Sequence, residues 1–344
     1  MKLVIDSTVP FIEGVFEPWA TVVYKPGNEI CHLDVIDADA LIISNMCRVN
    51  ETLLDNTLVK MIAVNTVGMD RVDQAYCADR GIFVQNASAS NSGALCNYVF
   101  SALYGCASRK SIDLKGKTIG IIGGGPAGQR VEMTGRTLGF NILMRDPVRE
   151  AAEGSTHFCS LDDLLENSDI VTLHCPLNDS TKGMCDASFF EKMRFGAFFI
   201  NTARGELVDE KALLQAIPKL GPVIIDTWNN EPYINQALLE KVDIATPHIA
   251  GFSYQGKLNG TRAAVRSVAR FFGITELYDF FPKPDIDNME ACHVDVAGMS
   301  QGQIASTFQY NYPIFTDDFM LRMDPDNFAK LRQEYRYRRE FYVN

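Results

Sequence analysis

The segment 117–146 confines this chain more than any other. It runs Lys-Thr-Ile-Gly-Ile-Ile, then Gly123-Gly-Gly-Pro-Ala-Gly128, then a helix-forming stretch to Leu138, and then a second apolar run that stops at Asp146. Short apolar runs without polar alternation read as strands buried on both faces, the habit of parallel sheets covered by helices. Gly123 makes the tight turn, Gly125 lets a phosphate approach backbone N–H groups, and Gly128 lets the helix pack closely on the strand. A Gly-rich turn alone is a common feature. Set between a buried strand and a helix, with an acid at the next strand end, it points to a dinucleotide site. Asp146 is placed to accept hydrogen bonds from the adenosine ribose, and its charge would repel a 2′-phosphate, which favours NAD over NADP. Arg145 and Arg149 flank it and argue the other way; we read them as solvated surface charge.

The same alternation extends in both directions. Short apolar runs at 3–5, 21–24, 40–43, 61–64 and 82–84 predict strands, with helical pieces at 50–56 and 72–80 between them. Further strands are expected at 170–173, 197–201, 223–226 and 242–246, separated by helices at about 187–194, 209–217 and 234–241. This pattern predicts an α/β protein with two doubly wound parallel-sheet (Rossmann-like) domains. A long apolar helix at 92–108 joins the two runs, and 252–273 reads as a second long helix returning to the first. The expected domains are 1–91 with 252–280 on the substrate side and 92–251 for NAD. After Asp-Phe-Phe-Pro-Lys-Pro at 279–284 the character changes to a loose polar stretch and a basic-aromatic tail at 331–342, so 281–344 is set apart as a small C-terminal α+β domain.

Composition narrows the partners. A net charge of −11 argues against nucleic acid or an anionic membrane, so an anionic substrate requires a local cluster of cations. The nine cysteines include no C-x-x-C pair and no Cys/His metal spacing, which fits reduced thiols and no metal. No signal peptide or membrane span is evident, and a cytoplasmic location is the expectation.

Three segments carry the chemistry: Asn-Thr-Ala-Arg-Gly-Glu-Leu-Val-Asp at 201–209, Asn-Glu-Pro at 230–232 and Thr-Pro-His-Ile-Ala-Gly at 246–251. Arg204 offers a planar fork for a carboxylate. Glu231 offers an acid, and His248 a group that moves protons near neutrality. Each has a bland alternative: a strand-end arginine paired to Asp209, a loop carboxylate facing water, a packed histidine. Their joint occurrence at predicted strand ends, downstream of the nucleotide turn, points to hydride exchange with a 2-hydroxy acid.

With these residues in hand, the chain resembles the D-isomer-specific 2-hydroxyacid dehydrogenases over residues 1 to about 275. Supporting stretches are Arg48-Val-Asn-Glu51, Thr66-Val-Gly-Met-Asp70-Arg-Val-Asp73 and Thr246 to Lys257. The tail, Phe328-Ala-Lys-Leu-Arg-Gln-Glu-Tyr335 with Arg338-Arg-Glu-Phe341, resembles the C-terminal dimerisation domain of the branch that oxidises 4-phospho-D-erythronate in pyridoxal 5′-phosphate biosynthesis. The resemblance implies that Arg204 and Glu231 are active-site residues and His248 the proton donor and acceptor. It implies that Asp146, Cys175, Asp226 and Gly251 line the NAD site, that Asn45, Thr66 and Phe252 face the substrate, and that the chain is a homodimer. The branch often has Thr at the place of Cys175, so a backbone contact is expected there.

Two departures bear on the substrate. Ser44-Asn45 stands where that branch has Arg-Ser, and Phe252 where it has Tyr. Both remove groups suited to a phosphate. Arg48, or Arg332, Arg336, Arg338 and Arg339 of the tail reaching across a dimer interface, are the candidates to replace the missing cation; a basic helix end packed at that interface is the alternative. Two other readings stay open: the same chemistry on an unphosphorylated 2-hydroxy or 2-keto acid, and an NAD(H)-sensing corepressor-like binding protein.

Overall fold

The computed structural model describes residues 1–283 and 289–344; the part of the loose polar stretch at 284–288 lies outside them. The chain forms two compact units, Met1–Asn91 with Tyr254–Glu290 and Ser92–Ser253 with Ala291–Asn344.

In the first unit β1 (Lys2–Asp6), β2 (Thr21–Lys25), β3 (Ala40–Ile43), β4 (Met61–Val64) and β5 (Phe83–Asn86) make one parallel sheet in the order β2-β1-β3-β4-β5. Every residue of β3 and β4 is buried, as their unbroken apolar runs require. The helix Tyr254–Phe272 packs on β4. Gly260 permits that approach, since a Cβ there would sit 2.3 Å from the carbonyl oxygen of Asn65. At the end of β1, the Asp6 carboxylate is fully buried and accepts from the Thr8 amide (2.9 Å) and hydroxyl (2.8 Å), the Gly27 amide (3.0 Å) and the Ser44 amide (3.2 Å). It also accepts from the Ser44 hydroxyl.

In the second unit β6 (Thr118–Ile122), β7 (Asn141–Arg145), β8 (Ile170–Leu173), β9 (Phe198–Asn201), β10 (Val223–Ile225) and β11 (Ile244–Ala245) form a parallel sheet ordered β11-β10-β9-β8-β6-β7. The strands expected from sequence form in both units, within two residues at each end. The helix Ser92–Arg109 is buried along nearly its whole length. A helix apolar all round needs cover on more than one side. Pro126–Thr137 covers one face and Gln301–Asn311 another, with the rings of Tyr104 and Phe308 5.2 Å apart.

That second cover places the C-terminal residues differently from the sequence reading, which set 281–344 apart as a domain of its own. From Ala291 onward the chain belongs to the same unit as 92–253. Phe308, Tyr312, Ile314 and Phe341 share one core with Tyr98, Phe100 and Ile119. A two-stranded parallel ribbon of β12 (Cys292–Val294) and β13 (Phe341–Val343) is tied to the same helix, because Asn97 bonds both the amide (3.0 Å) and the carbonyl (2.6 Å) of Phe341. Between those strands lie the helices Gln301–Asn311, Ile314–Met323 and Phe328–Gln333. Among the described residues no helix is long and apolar enough to cross a membrane, and no group of three or more His, Cys, Asp or Glu could hold a metal ion.

Candidate active site

The order of the second sheet brings the sequence motifs to one edge. The glycine turn follows β6, Asp146 follows β7, Cys175 follows β8, Arg204 follows β9, Asp226 and Glu231 follow β10, and His248 follows β11. The chain leaves β6 to one side for β7 and crosses to the other for β8, so the strand order reverses beside the glycine turn. Open parallel sheets bind their ligands at such a reversal, beyond the carboxyl ends of the strands.

Arg204, Glu231 and His248 end three adjacent strands. Asn201, buried at the end of β9, accepts from the Ala203 amide (3.1 Å) and donates to the Arg204 carbonyl (2.9 Å), which shapes the corner that carries the guanidinium. The next residue, Gly205, lies against the Trp228–Asn229 peptide so tightly that a Cβ would stand 2.0 Å from the Trp228 carbonyl carbon. The Trp228 amide donates to Glu231 Oε1 (2.9 Å), and Glu231 Oε2 holds His248 Nδ1 at 2.8 Å. The three motifs are therefore linked through consecutive contacts rather than scattered. With Nδ1 on the carboxylate, Nε2 is the ring nitrogen left to exchange a proton with a ligand. Burial works to raise the Glu231 carboxyl. The hydrogen bond and charge of His248, helped by the Trp228 amide and Arg332, bring it below its ordinary value.

The turn under His248 is held by Asp226. Its carboxylate is buried and accepts from the amides of Ile249 (2.8 Å) and Ala250 (2.9 Å) and from the Thr246 hydroxyl (2.6 Å), to which the Tyr98 hydroxyl is bonded in turn at 2.6 Å. Burial raises the Asp226 carboxyl despite these donors. The Asp226 carboxylate, which the resemblance set against NAD, thus also shapes the turn that carries His248. Trp228 braces the same place, its indole N–H donating to the Thr246 carbonyl (3.0 Å).

The glycine turn fits a pyrophosphate. Gly123 adopts φ +103°, and a Cβ there would meet the Cys175 amide nitrogen at 2.4 Å. At Gly128 a Cβ would strike the Gly123 carbonyl oxygen at 2.0 Å, whereas at Gly125 it would meet nothing within 4 Å. Gly125 is the N-cap of Pro126–Thr137 and supplies no side-chain cap, so the first-turn N–H groups of that helix open toward free space. Asp146 accepts from the Gly124 amide (2.8 Å) and from those of Val148 (3.1 Å) and Arg149 (3.0 Å), fixing the turn and leaving about one lone-pair site for a ribose hydroxyl. Arg145 pairs with Glu150 and Arg149 with Glu153 at 2.7 Å, so both flanking cations have acidic partners within their own helix region. The Cys175 backbone abuts Gly123, and its thiol, pushed up to about 11 by burial, lies 3.9 Å from the Met184 sulfur. Gly251 is half-buried in the turn after His248.

The substrate-side residues divide between the units. Asn45 and Thr66 follow β3 and β4 of the first unit, and the buried Thr66 hydroxyl has no hydrogen-bond partner among the described residues. Phe252 belongs to the second unit, packed at 6.1 Å from the rings of Tyr335 and Tyr337 in the tail. The expectation that tail arginines replace a phosphate-binding cation fails for Arg338. It is buried and directed onto the carbonyls of Ala94, Ile249 and Ala250. Arg332 spends its Nε–H on the His248 carbonyl (3.2 Å). Arg48, Arg336 and Arg339 are exposed. Sequence reasoning missed the supporting roles of Asn201 and Trp228, whose side chains bond backbone groups that leave no residue pattern, and of Thr246 and Tyr98, whose hydroxyls reach partners far away in the sequence.

Residues 103–250 match the family model described as D-isomer specific 2-hydroxyacid dehydrogenase, NAD binding domain. The chain belongs to the D-isomer specific 2-hydroxyacid dehydrogenases, and is an NAD-dependent dehydrogenase of that family. Its full-length relatives are of a narrower kind. Erythronate-4-phosphate dehydrogenase of Bacteroides fragilis is 38% identical over 99% of this chain and 97% of its own length. That of Escherichia coli is 34% identical over 99% of this chain and 92% of its own. Among solved structures, the TT0316 protein of Thermus thermophilus superposes with a TM-score of 0.68 at 25% identity, covering 79% of this chain and 97% of that one. The NAD+-bound 3-phosphoglycerate dehydrogenase of Entamoeba histolytica shares the fold at a TM-score of 0.68 and 24% identity, over 83% of this chain and 99% of its own.

Proposed function

We propose that the protein oxidises 4-phospho-D-erythronate to its 2-oxo acid, as a homodimer. The observation that carries the chemistry is the 2.8 Å pairing of His248 with Glu231, beside the corner that bears Arg204. NAD, held at the glycine turn and Asp146, would supply the hydride acceptor for C2. Arg204 holds the C1 carboxylate through its fork and keeps C2 oriented. His248 takes the hydroxyl proton at Nε2, and Glu231 fixes the ring and favours the imidazolium that results. The substrate assignment is supported by full-length relatives named for erythronate 4-phosphate and by the unsatisfied hydroxyl of Thr66. Asn45 and Phe252 remain the other substrate-side assignments of this reading.

A second reading keeps the reaction and drops the phosphate. Ser44 is committed to Asp6 and Arg338 to backbone carbonyls, so neither is available to a phosphate, which leaves the exposed Arg48, Arg336 and Arg339 as candidates. A panel of 2-hydroxy acids that includes erythronate with and without the 4-phosphate, read by NADH absorbance, separates the two. The first reading expects the phosphorylated acid to lead in kcat/KM; an equal or better rate for plain erythronate overturns it. With the best acid, His248→Ala should lower kcat by about 10²- to 10⁴-fold while NADH binding, followed by fluorescence, is kept. An unimpaired variant removes His248 from the mechanism.

A further inference from the structure

We propose that Arg338, assisted by Arg332, is a positioning residue for His248, and that the C-terminal segment belongs to the working active site for this reason. The turn from His248 to Ala250 exposes amides on one side and carbonyls on the other. Asp226 takes the amides of Ile249 and Ala250. The tail takes the carbonyls: Arg332 Nε donates to His248 (3.2 Å), Arg338 Nη1 to Ile249 (3.1 Å) and Arg338 Nη2 to Ala250 (2.5 Å). Two successive peptide groups are thus gripped between a buried anion and two guanidiniums, and the carbonyl of a third is held by Arg338.

The grip has something to hold. His248 lies at φ +56°, a left-handed conformation uncommon for a residue with a Cβ, and here the bonds on both sides of the turn hold it. The ring that must meet both Glu231 and a substrate hangs from that residue. A relaxed turn would carry Nδ1 away from the carboxylate and Nε2 away from its target.

Arg338 is built for this and for little else. It has five N–H donors. The Nη1 and Nη2 groups serve four acceptors, the carbonyls of Ala94 (3.0 Å), Ile249 and Ala250 and the Tyr335 hydroxyl (3.3 Å), while its guanidinium lies 4.1 Å from the centre of the Tyr312 ring. A buried cation needs compensation. Tyr312 and Tyr335 both donate to Asp317 Oδ2, at 2.8 and 2.9 Å, which sets a carboxylate behind them. Burial works against the Arg338 charge, and Tyr312, Tyr335 and Asp317 together more than restore it. The strand-like pairing of Ser253 with Arg338 fixes the register of tail and turn. Lysine cannot replace this residue, since a single ammonium lacks the planar fork that spans two adjacent carbonyls.

The inference rests on His248 being the proton-transfer residue, and its test keeps the two apart. Steady-state kinetics on the best acid of the panel, thermal melting and NADH titration are measured for Arg338→Lys, for His248→Ala and for the double variant. Arg338→Lys should lose on the order of 100-fold in kcat, the cost of a small misplacement of a reacting group, with KM and NADH affinity changed less than about threefold. In the His248→Ala background the same substitution should change the residual rate by less than about twofold, because residues acting through one another are not additive. Unchanged kcat in a folded Arg338→Lys protein, an equal further loss in the double variant, or a rise confined to KM for the phosphorylated acid overturns the positioning role. If Arg338→Lys does not fold, Arg332→Met decides: a fall in kcat absent from the His248→Ala background supports the inference, and unchanged kcat overturns it. An active His248→Ala protein would instead sink the proposed mechanism itself.

Discussion

At the scale of the residue, Glu231 and His248 are coupled tightly enough to mark the acid stability of the protein. Their side chains are only about a fifth exposed, at 21% and 22%. Burial lifts the Glu231 carboxyl, but the His248 bond and charge, the Trp228 amide and Arg332 draw it below its ordinary 4.5. A carboxyl depressed in the fold stabilises it above the unfolded value and gives that stability up as pH falls through the lower, folded value. The denaturation midpoint of the native protein should therefore exceed that of Glu231→Gln near pH 6, and the gap should narrow as pH drops below 4.5. Urea unfolding of both proteins at pH 6, 5, 4 and 3.5 checks this. A gap that stays the same at pH 3.5 would mean that the carboxylate's charge is not what Glu231 contributes.

At the scale of the element, the glycine turn separates folding from binding within six residues. Gly128 faces backbone, with the Gly123 carbonyl oxygen 2.0 Å from where a Cβ would stand, and Gly125 faces open space. Gly128→Ala should cost about 1–3 kcal/mol through overpacking, a fall of roughly 2–10 °C in melting temperature. Gly125→Ala should melt within about 2 °C of the native protein, since surface changes cost little, yet bind NADH about tenfold more weakly through the loss of a charged hydrogen bond. A Gly125→Ala protein with native NADH affinity would move the pyrophosphate away from this turn. The strands around it were legible because burial on both faces leaves an uninterrupted apolar run, as in the Val-Ile-Ile of β10. The C-terminal helices were not. Gln301–Asn311 and Ile314–Met323 carry Tyr310, Phe319, Met320 and Met323 on exposed positions, so the contrast between an inner and an outer face that reveals a helix is blurred. Nor could the burial of Arg338 be read from sequence. Its acceptors are backbone carbonyls, one of them at Ala94, far back in the chain, and a run of arginines and tyrosines looks the same whether it faces water or a neighbouring turn.

At the scale of the whole molecule, the same exposed side chains argue for association. Phe319, Met320 and Met323 recur at the spacing of one helix face and stand 58%, 48% and 67% exposed. Large apolar side chains clustered on a surface mark interaction sites. A chain carrying −11 repels its own copies at long range, so a stable dimer needs apolar burial to overcome that field. A standard interface hides about 800 Å² on each partner, which one helix face can begin to supply. The homodimer we propose would then be seated on Ile314–Met323. Light scattering after gel filtration should give twice the chain's 38.3 kDa for the native protein. Phe319→Glu with Met323→Glu, both on exposed positions where the fold tolerates charge, should give the monomer mass with an unchanged far-UV spectrum. A native protein that runs as a monomer at micromolar concentration ends the dimer proposal. A double variant that stays dimeric moves the interface to another face and leaves these side chains without an account.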